Sequence, residues 1–128
     1  MAWSKNKYRN KKVKVGGVVF DSDLERYCHS LLKSYDVDFV WQVEWEIQEG
    51  FVSWEGKKKR RIYMMIDFVL KLPDVLIFID TKGFATSEAK IKYKILEHQL
   101  QSHKKKYEIY WLKNKKEVKE FINKRLLV

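Results

Sequence analysis

The chain has 128 residues and a mass of 15.6 kDa, with 45% apolar residues, 15% aromatics, one proline and five glycines, which excludes global disorder, collagen and low-complexity linkers. Its 27 Lys and Arg against 17 Asp and Glu give a net charge of +10 and a pI near 9.6, so a polyanion, nucleic acid first, is the expected partner. No apolar stretch approaches the roughly 20 residues that span a bilayer, and no basic amphipathic helix suits a membrane surface, so a soluble intracellular protein without membrane contact is expected.

Residues 1–12 read as a flexible basic arm. Residues 1–14 hold six basic side chains, Lys11 and Lys12 among them, with no carboxylate, no periodicity and no apolar signal-peptide region. A single domain is expected over 13–128, opening with a short strand over 13–20 bent at Gly16-Gly17. Ser22 followed by Glu25 is a capping-box signature, and Leu24, Cys28, Leu31, Leu32 and Tyr35 then recur at helical spacing. Cys28 is the only cysteine and sits on that apolar stripe, which fits a buried thiol and excludes a disulfide framework or thiolate zinc cluster. Over 37–48 the pattern becomes strict alternation, with Val37, Phe39, Trp41, Val43, Trp45 and Ile47 on one face of a half-buried strand.

Residues 50–59, with Gly56, read as a loop or hairpin turn that leads through the run Lys57, Lys58, Lys59, Arg60 and Arg61. A strand over 62–72 then places Ile62, Met64, Ile66, Phe68, Leu70 and Leu72 at every second position. Beyond a tight turn at Pro73-Asp74, the apolar run 75–79 predicts a central strand covered on both faces. Thr86 can cap a helix in which Ala89, Tyr93, Leu96 and Leu100 form a buried stripe. A short strand over 107–112 and a helix over 117–126, with Val118, Phe121 and Ile122 inward, complete a mixed sheet flanked by helices in the α/β class.

Strand periodicity isolates one polar cluster. Asp80 and Lys82 are two apart at the end of the most apolar run and project from one face. Asp67 lies between Ile66 and Phe68, where an unpaired carboxylate would cost several kcal/mol. A hairpin around Pro73-Asp74 would set Asp67 opposite Asp80, and two such carboxylates repel unless a proton or cation lies between them. Oxygen donors without Cys or His suit Mg²⁺ or Mn²⁺, which can activate water and neutralise charge on a phosphodiester, with Lys82 orienting the water or stabilising the developing charge. An Asp-Lys ion pair at a strand end with Asp67 capping a turn accounts for the same residues without chemistry. Glu25 divides similarly: it lies beside the apolar stripe, where it could lean over the sheet, and it also completes the capping box, which would leave it exposed to solvent.

These residues resemble the PD-(D/E)XK nuclease superfamily, whose core carries a helical acid, an acid on the second strand and an acid-x-lysine on the third. Glu25, Asp67 in Ile66-Asp67-Phe68, and Asp80-Thr81-Lys82-Gly83 match that pattern. Lys7-Tyr8-Arg9-Asn10-Lys11, Val19-Phe20-Asp21-Ser22, Trp41-Gln42-Val43 and Thr86 extend the likeness to small phage-encoded nucleases of this superfamily over residues 8–110. Ile66 stands where the superfamily's name has proline, and none of its acids is missing. The resemblance implies a restriction-endonuclease-like core of αβββαβ order. It also implies hydrolysis of DNA, branched (a Holliday junction) or duplex, in the bacterial host cytoplasm. One or two Mg²⁺ or Mn²⁺ ions would then be held by Glu25, Asp67, Asp80 and the Thr81 backbone carbonyl, with Lys82 supporting the water.

For gripping DNA the first candidates are Lys57, Lys58, Lys59, Arg60 and Arg61, five adjacent charges that are costly without a counter-anion. Lys90, Lys92 and Lys94 on the Thr86-capped helix could meet phosphates or form a solvated face, and Gln42 could touch DNA or simply face solvent. The histidines at 29, 98 and 103 share no ligand spacing. Trp3, Trp41, Trp45, Trp54 and Trp111 could stack on bases, although Trp41 and Trp45 fit the core better. Resolvase-like activity would favour a two-fold homodimer, with residues 37–47 or the Trp54 region in the interface. The competing reading is a non-catalytic nucleic-acid-binding module that uses the basic arm and loop.

Overall fold

A computed structural model describes residues 12–15, 17–82 and 85–127. The arm of residues 1–11, with Lys11, lies outside them. The described chain forms two compact units, each interrupted along the sequence. One comprises the described parts of Met1–Val37, Thr81–Gly83 and Leu112–Val128, and the other those of Asp38–Asp80 and Phe84–Trp111.

The first unit opens with β1 (Val13–Val15) and β2 (Val18–Phe20), an antiparallel pair. The single bent strand expected over 13–20 is thus a hairpin, because Gly17 takes φ +83° and reverses the chain where a side chain would be strained. Helix α1 (Asp23–Ser34) follows, with Ser22 as its N-cap accepting from the Glu25 amide. Cys28 and Leu32 on its apolar stripe are fully buried. At the other end of the chain, α3 (Lys115–Phe121) is capped by Asn114 and runs directly into a π-helical turn, Ile122–Leu126. Asp23 joins the two helices through Lys115 (3.0 Å), while Arg26 bonds the same carboxylate within α1 (2.7 Å). These two cations hold the exposed Asp23 carboxyl below the usual aspartate range.

The second unit is built on a four-stranded mixed sheet of β3 (Phe39–Gln48), β6 (Ile62–Lys71), β7 (Leu76–Asp80) and β8 (Tyr107–Trp111), in that spatial order. The first three strands are antiparallel and β8 runs parallel to β7. A parallel return needs a crossover, which α2 (Ser87–Ser102) supplies, with Thr86 capping it through the Ala89 amide. Between β3 and β6 stands a small separate hairpin of β4 (Phe51–Val52) and β5 (Lys58–Lys59). Tyr93, Leu96 and Leu100 of α2 pack with Ile47, Met64, Ile66, Val69 and Phe78 as this unit's core. Its β7 is buried over Ile77–Asp80, as expected of an inner strand with an apolar run.

The alternation over 62–72 does not persist as one uninterrupted face. Met64 and Ile66 share a cluster with Val69, one residue out of phase, and Phe68 is buried outside it. Opposite this break is Gln42, whose φ of +53° lies in the left-handed region, so the pleat of β3 is interrupted at that level.

Candidate functional site

Asp80 closes β7 with 1% of its surface exposed, a position no carboxylate occupies cheaply. The β6–β7 register pairs Phe68 with Ile79, and one step further it sets Asp67 across from Asp80. On the other side of β6, Trp41 pairs with Phe68 and Val43 with Ile66, which leaves Gln42 and Asp67 facing each other between those pairs. Continuing both registers by one step brings Gln42, Asp67 and Asp80 to one level on three adjacent strands. A left-handed non-glycine residue costs on the order of 1–3 kcal/mol, and such strain collects at functional sites.

Tyr93 completes the cluster from α2. Its hydroxyl donates to Asp80 Oδ2 at 3.2 Å, and its ring meets the edge of Trp111 at a centroid distance of 4.7 Å. Burial, then the charges of Asp80 and Asp67, hold the phenol proton far above the ordinary tyrosine value, so Tyr93 is a neutral donor throughout the physiological range. The sequence pattern marks Tyr93 only as core; the one available signal is that a tyrosine on a leucine stripe needs a partner for its hydroxyl. Replacing Tyr93 by Phe removes a hydrogen bond to a buried carboxylate, and chemical denaturation should register a loss of about 1.5–3 kcal/mol with an unchanged denaturant slope.

Of the predicted catalytic and metal-holding residues, Glu25, Thr81 and Lys82 lie in the other unit. Glu25 is buried, with 1% exposure, and its Oε2 accepts from the Asp21 amide at 3.0 Å. The capping role and the burial therefore coexist, and solvent exposure does not follow from the cap. Thr81 is buried and Lys82 half-buried, one and two residues beyond Asp80. Among the described residues no three His, Cys, Asp or Glu side chains gather as a metal group. Two carboxylates are nonetheless a donor set that suits Mg²⁺, which keeps several of its waters and commonly takes only one or two carboxylates from a protein.

The basic candidates separate into engaged and open side chains. Arg61 bonds Glu44 and sits over the Tyr63 ring at 4.6 Å, and Lys57 reaches Glu55 at 3.5 Å. Lys58, Lys59 and Arg60 are exposed with no carboxylate partner among the described residues. On α2, Lys92 pairs with Glu88 at 3.1 Å, whereas Lys90 and Lys94 are exposed. Lys12 is exposed beside Asp21, at 3.7 Å. Trp45 donates to Gln99 Oε1 at 2.8 Å and packs edge-on against Phe78, which makes it part of the sheet rather than a base-stacking surface.

The family pattern described as "Protein of unknown function (DUF1064)" matches residues 5–116. The chain belongs to this family. The stretch that defines a DUF1064 member thus includes Glu25, Gln42, Asp67, Asp80, Lys82 and Tyr93, and stops within α3. A search of the curated proteins found no match to this DUF1064 chain, and a search of the solved structures found none. No described helix of this DUF1064 protein is long and apolar enough to cross a membrane.

Proposed function

We propose that this chain is a metal-dependent DNA endonuclease with a restriction-endonuclease-like core, selective for branched DNA such as a Holliday junction. In this reading it serves phage DNA metabolism in the host cytoplasm. The observation that carries it is the level pair Asp67 and Asp80 on adjacent antiparallel strands, one of them buried, beside the left-handed backbone of Gln42. Two carboxylates so placed favour an intervening cation. The chain order α1, β3, β6, β7, α2, β8 supports the resemblance, since it reproduces the αβββαβ sequence of elements.

Asp67 and Asp80 would hold Mg²⁺ or Mn²⁺, with Glu25 and the Thr81 carbonyl as the further donors the resemblance implies. Such an ion lowers the pKa of bound water and neutralises charge on the phosphodiester. Tyr93 orients Asp80 by donating to Oδ2. Lys82 stabilises the negative charge that develops on the scissile phosphate. Lys58, Lys59 and Arg60, with Lys90 and Lys94, receive flanking phosphates.

Millimolar Mg²⁺ or Mn²⁺ should raise the melting temperature through binding to the folded state, a stabilisation of about 1.4 kcal/mol at ten times the dissociation constant. Asp67→Asn should lose that rise. A wild-type melting temperature indifferent to both ions, together with absent cleavage, would favour a non-catalytic nucleic-acid-binding module. The observation on that side is the lack of a three-ligand metal group among the described residues.

A further inference from the structure

The β4–β5 hairpin is tightly specified and yet buries little. Phe51 pairs with Lys59 and Val52 with Lys58, and closure between Ser53 and Lys57 leaves a three-residue tip of Trp54, Glu55 and Gly56. The Ser53 carbonyl accepts from the Gly56 amide (2.8 Å), the Ser53 amide donates to the Lys57 carbonyl (2.8 Å), and Ser53 Oγ accepts from the Lys57 amide (3.1 Å). Gly56 takes φ +83°, so the tip is a turn closed by a left-handed residue, a standard three-residue hairpin loop. Its base is held as firmly, because a Cβ on Gly50 would meet the Lys59 carbonyl at 3.0 Å and the Arg61 amide at 3.3 Å.

What this rigid hairpin presents is Trp54, 96% exposed, with Phe51 half exposed and Val52 more so. A fully solvated indole at the apex of a preorganised turn contributes nothing to either unit's core. Along the strands of the same hairpin, lined by Phe51 and Val52, opens a cleft of about 970 Å³ whose wall carries Lys58, Lys59, Arg60 and Arg61 against the single carboxylate of Glu46. Arg61 is engaged by Glu44, so the uncompensated charge resides on Lys58, Lys59 and Arg60.

An exposed aromatic face at the tip of a hairpin whose strand carries uncompensated cations matches the two halves of an unpaired nucleotide, a base with a free π-face and an anionic phosphate. Stacked duplex DNA offers the phosphates without the free face. We propose that the β4–β5 hairpin docks an unpaired nucleic-acid base, with Trp54 stacking on the base and Lys58, Lys59 and Arg60 receiving the adjoining phosphates. This extends the nucleic-acid half of the proposed function and uses none of its metal chemistry. It would make this hairpin the element that distinguishes branched or single-stranded DNA from blunt duplex.

The test is equilibrium binding in EDTA of fluorescent single-stranded, flapped and blunt duplex oligonucleotides to wild type, Trp54→Ala and Trp54→Phe. Trp54 packs on nothing, so neither substitution should impair folding. Trp54→Ala should weaken single-strand and flap binding about tenfold, within the range of stacking on one base. Blunt duplex affinity should change less than twofold, and Trp54→Phe should retain most of the single-strand affinity. Equal affinity of wild type and Trp54→Ala for every DNA would overturn the inference and leave the endonuclease proposal standing. Wild type that binds no DNA at low salt would overturn both. A Trp54-dependent dimer with unchanged DNA binding would assign the surface to a second copy and also overturn the inference. Trp54-dependent single-strand binding by a protein that never cleaves would support the hairpin's role and remove the nuclease.

Discussion

Replacing Asp80 by Asn should abolish Mg²⁺-dependent DNA cleavage, with a loss of at least a thousandfold, or about 4 kcal/mol of transition-state stabilisation. Asp67→Asn should do the same, because the register, continued one step, sets the two carboxylates across from each other and the ion would lose one of the two charges that hold it. DNA affinity measured in EDTA should hold or increase in both variants, since each removes a negative charge that repels phosphate. The substitution at Asp80 keeps the side chain's shape, and its amide can still accept from the Tyr93 hydroxyl, so loss of the fold is not the expected cause of inactivity. Single-turnover cleavage and circular dichroism on the same preparations check both halves. Cleavage that survives both substitutions would remove these residues from the chemistry.

The second large effect separates chemistry from grip. Lys82→Ala should reduce the single-turnover rate at saturating protein a hundredfold or more, on the order of 3 kcal/mol, with binding nearly unchanged. Replacing Lys58, Lys59 and Arg60 together should act the other way. Binding should weaken, and the slope of log K against log salt should flatten by about three, near 0.9 for each phosphate that the protein no longer neutralises. The structure narrows the run of five basic residues to these three, because Lys57 and Arg61 already face Glu55 and Glu44. An unaltered salt slope in the triple variant would send the DNA path to Lys90, Lys94 and Lys12 instead.

Most of the framework was legible because it rests on local signals. Ser22 and Glu25 announce the start of α1, Thr86 announces α2, and the unbroken apolar run before Asp80 marks an inner strand, all of which the backbone adopts. The hairpin around Pro73-Asp74 likewise followed from an alternating run and a continuous apolar run separated by turn residues, and with it the level positions of Asp67 and Asp80. Four features escaped because their causes are not local. The break in phase near Asp67 accompanies a left-handed φ at Gln42, a conformation that glutamine does not signal by its type. Tyr93 has the spacing of a core residue, and its role beside Asp80 depends on how α2 packs on the sheet. The strand expected over 13–20 is a hairpin because a glycine pair permits a bend or a reversal equally, and pairing between β1 and β2 selects the reversal. Burial of Glu25 also could not be read from a capping signature, which describes only the helix's first turn.

If the level carboxylates belong to a nuclease, the chain cuts DNA only when a divalent ion is supplied. The decisive experiment incubates the purified chain with a four-way junction, blunt duplex and single-stranded DNA, in Mg²⁺ and in EDTA, and resolves the products on a denaturing gel. Strand cuts are expected in Mg²⁺, strongest at the junction, and none in EDTA. Intact DNA in all three Mg²⁺ reactions, at protein concentrations that demonstrably saturate the same substrates, would contradict the endonuclease proposal.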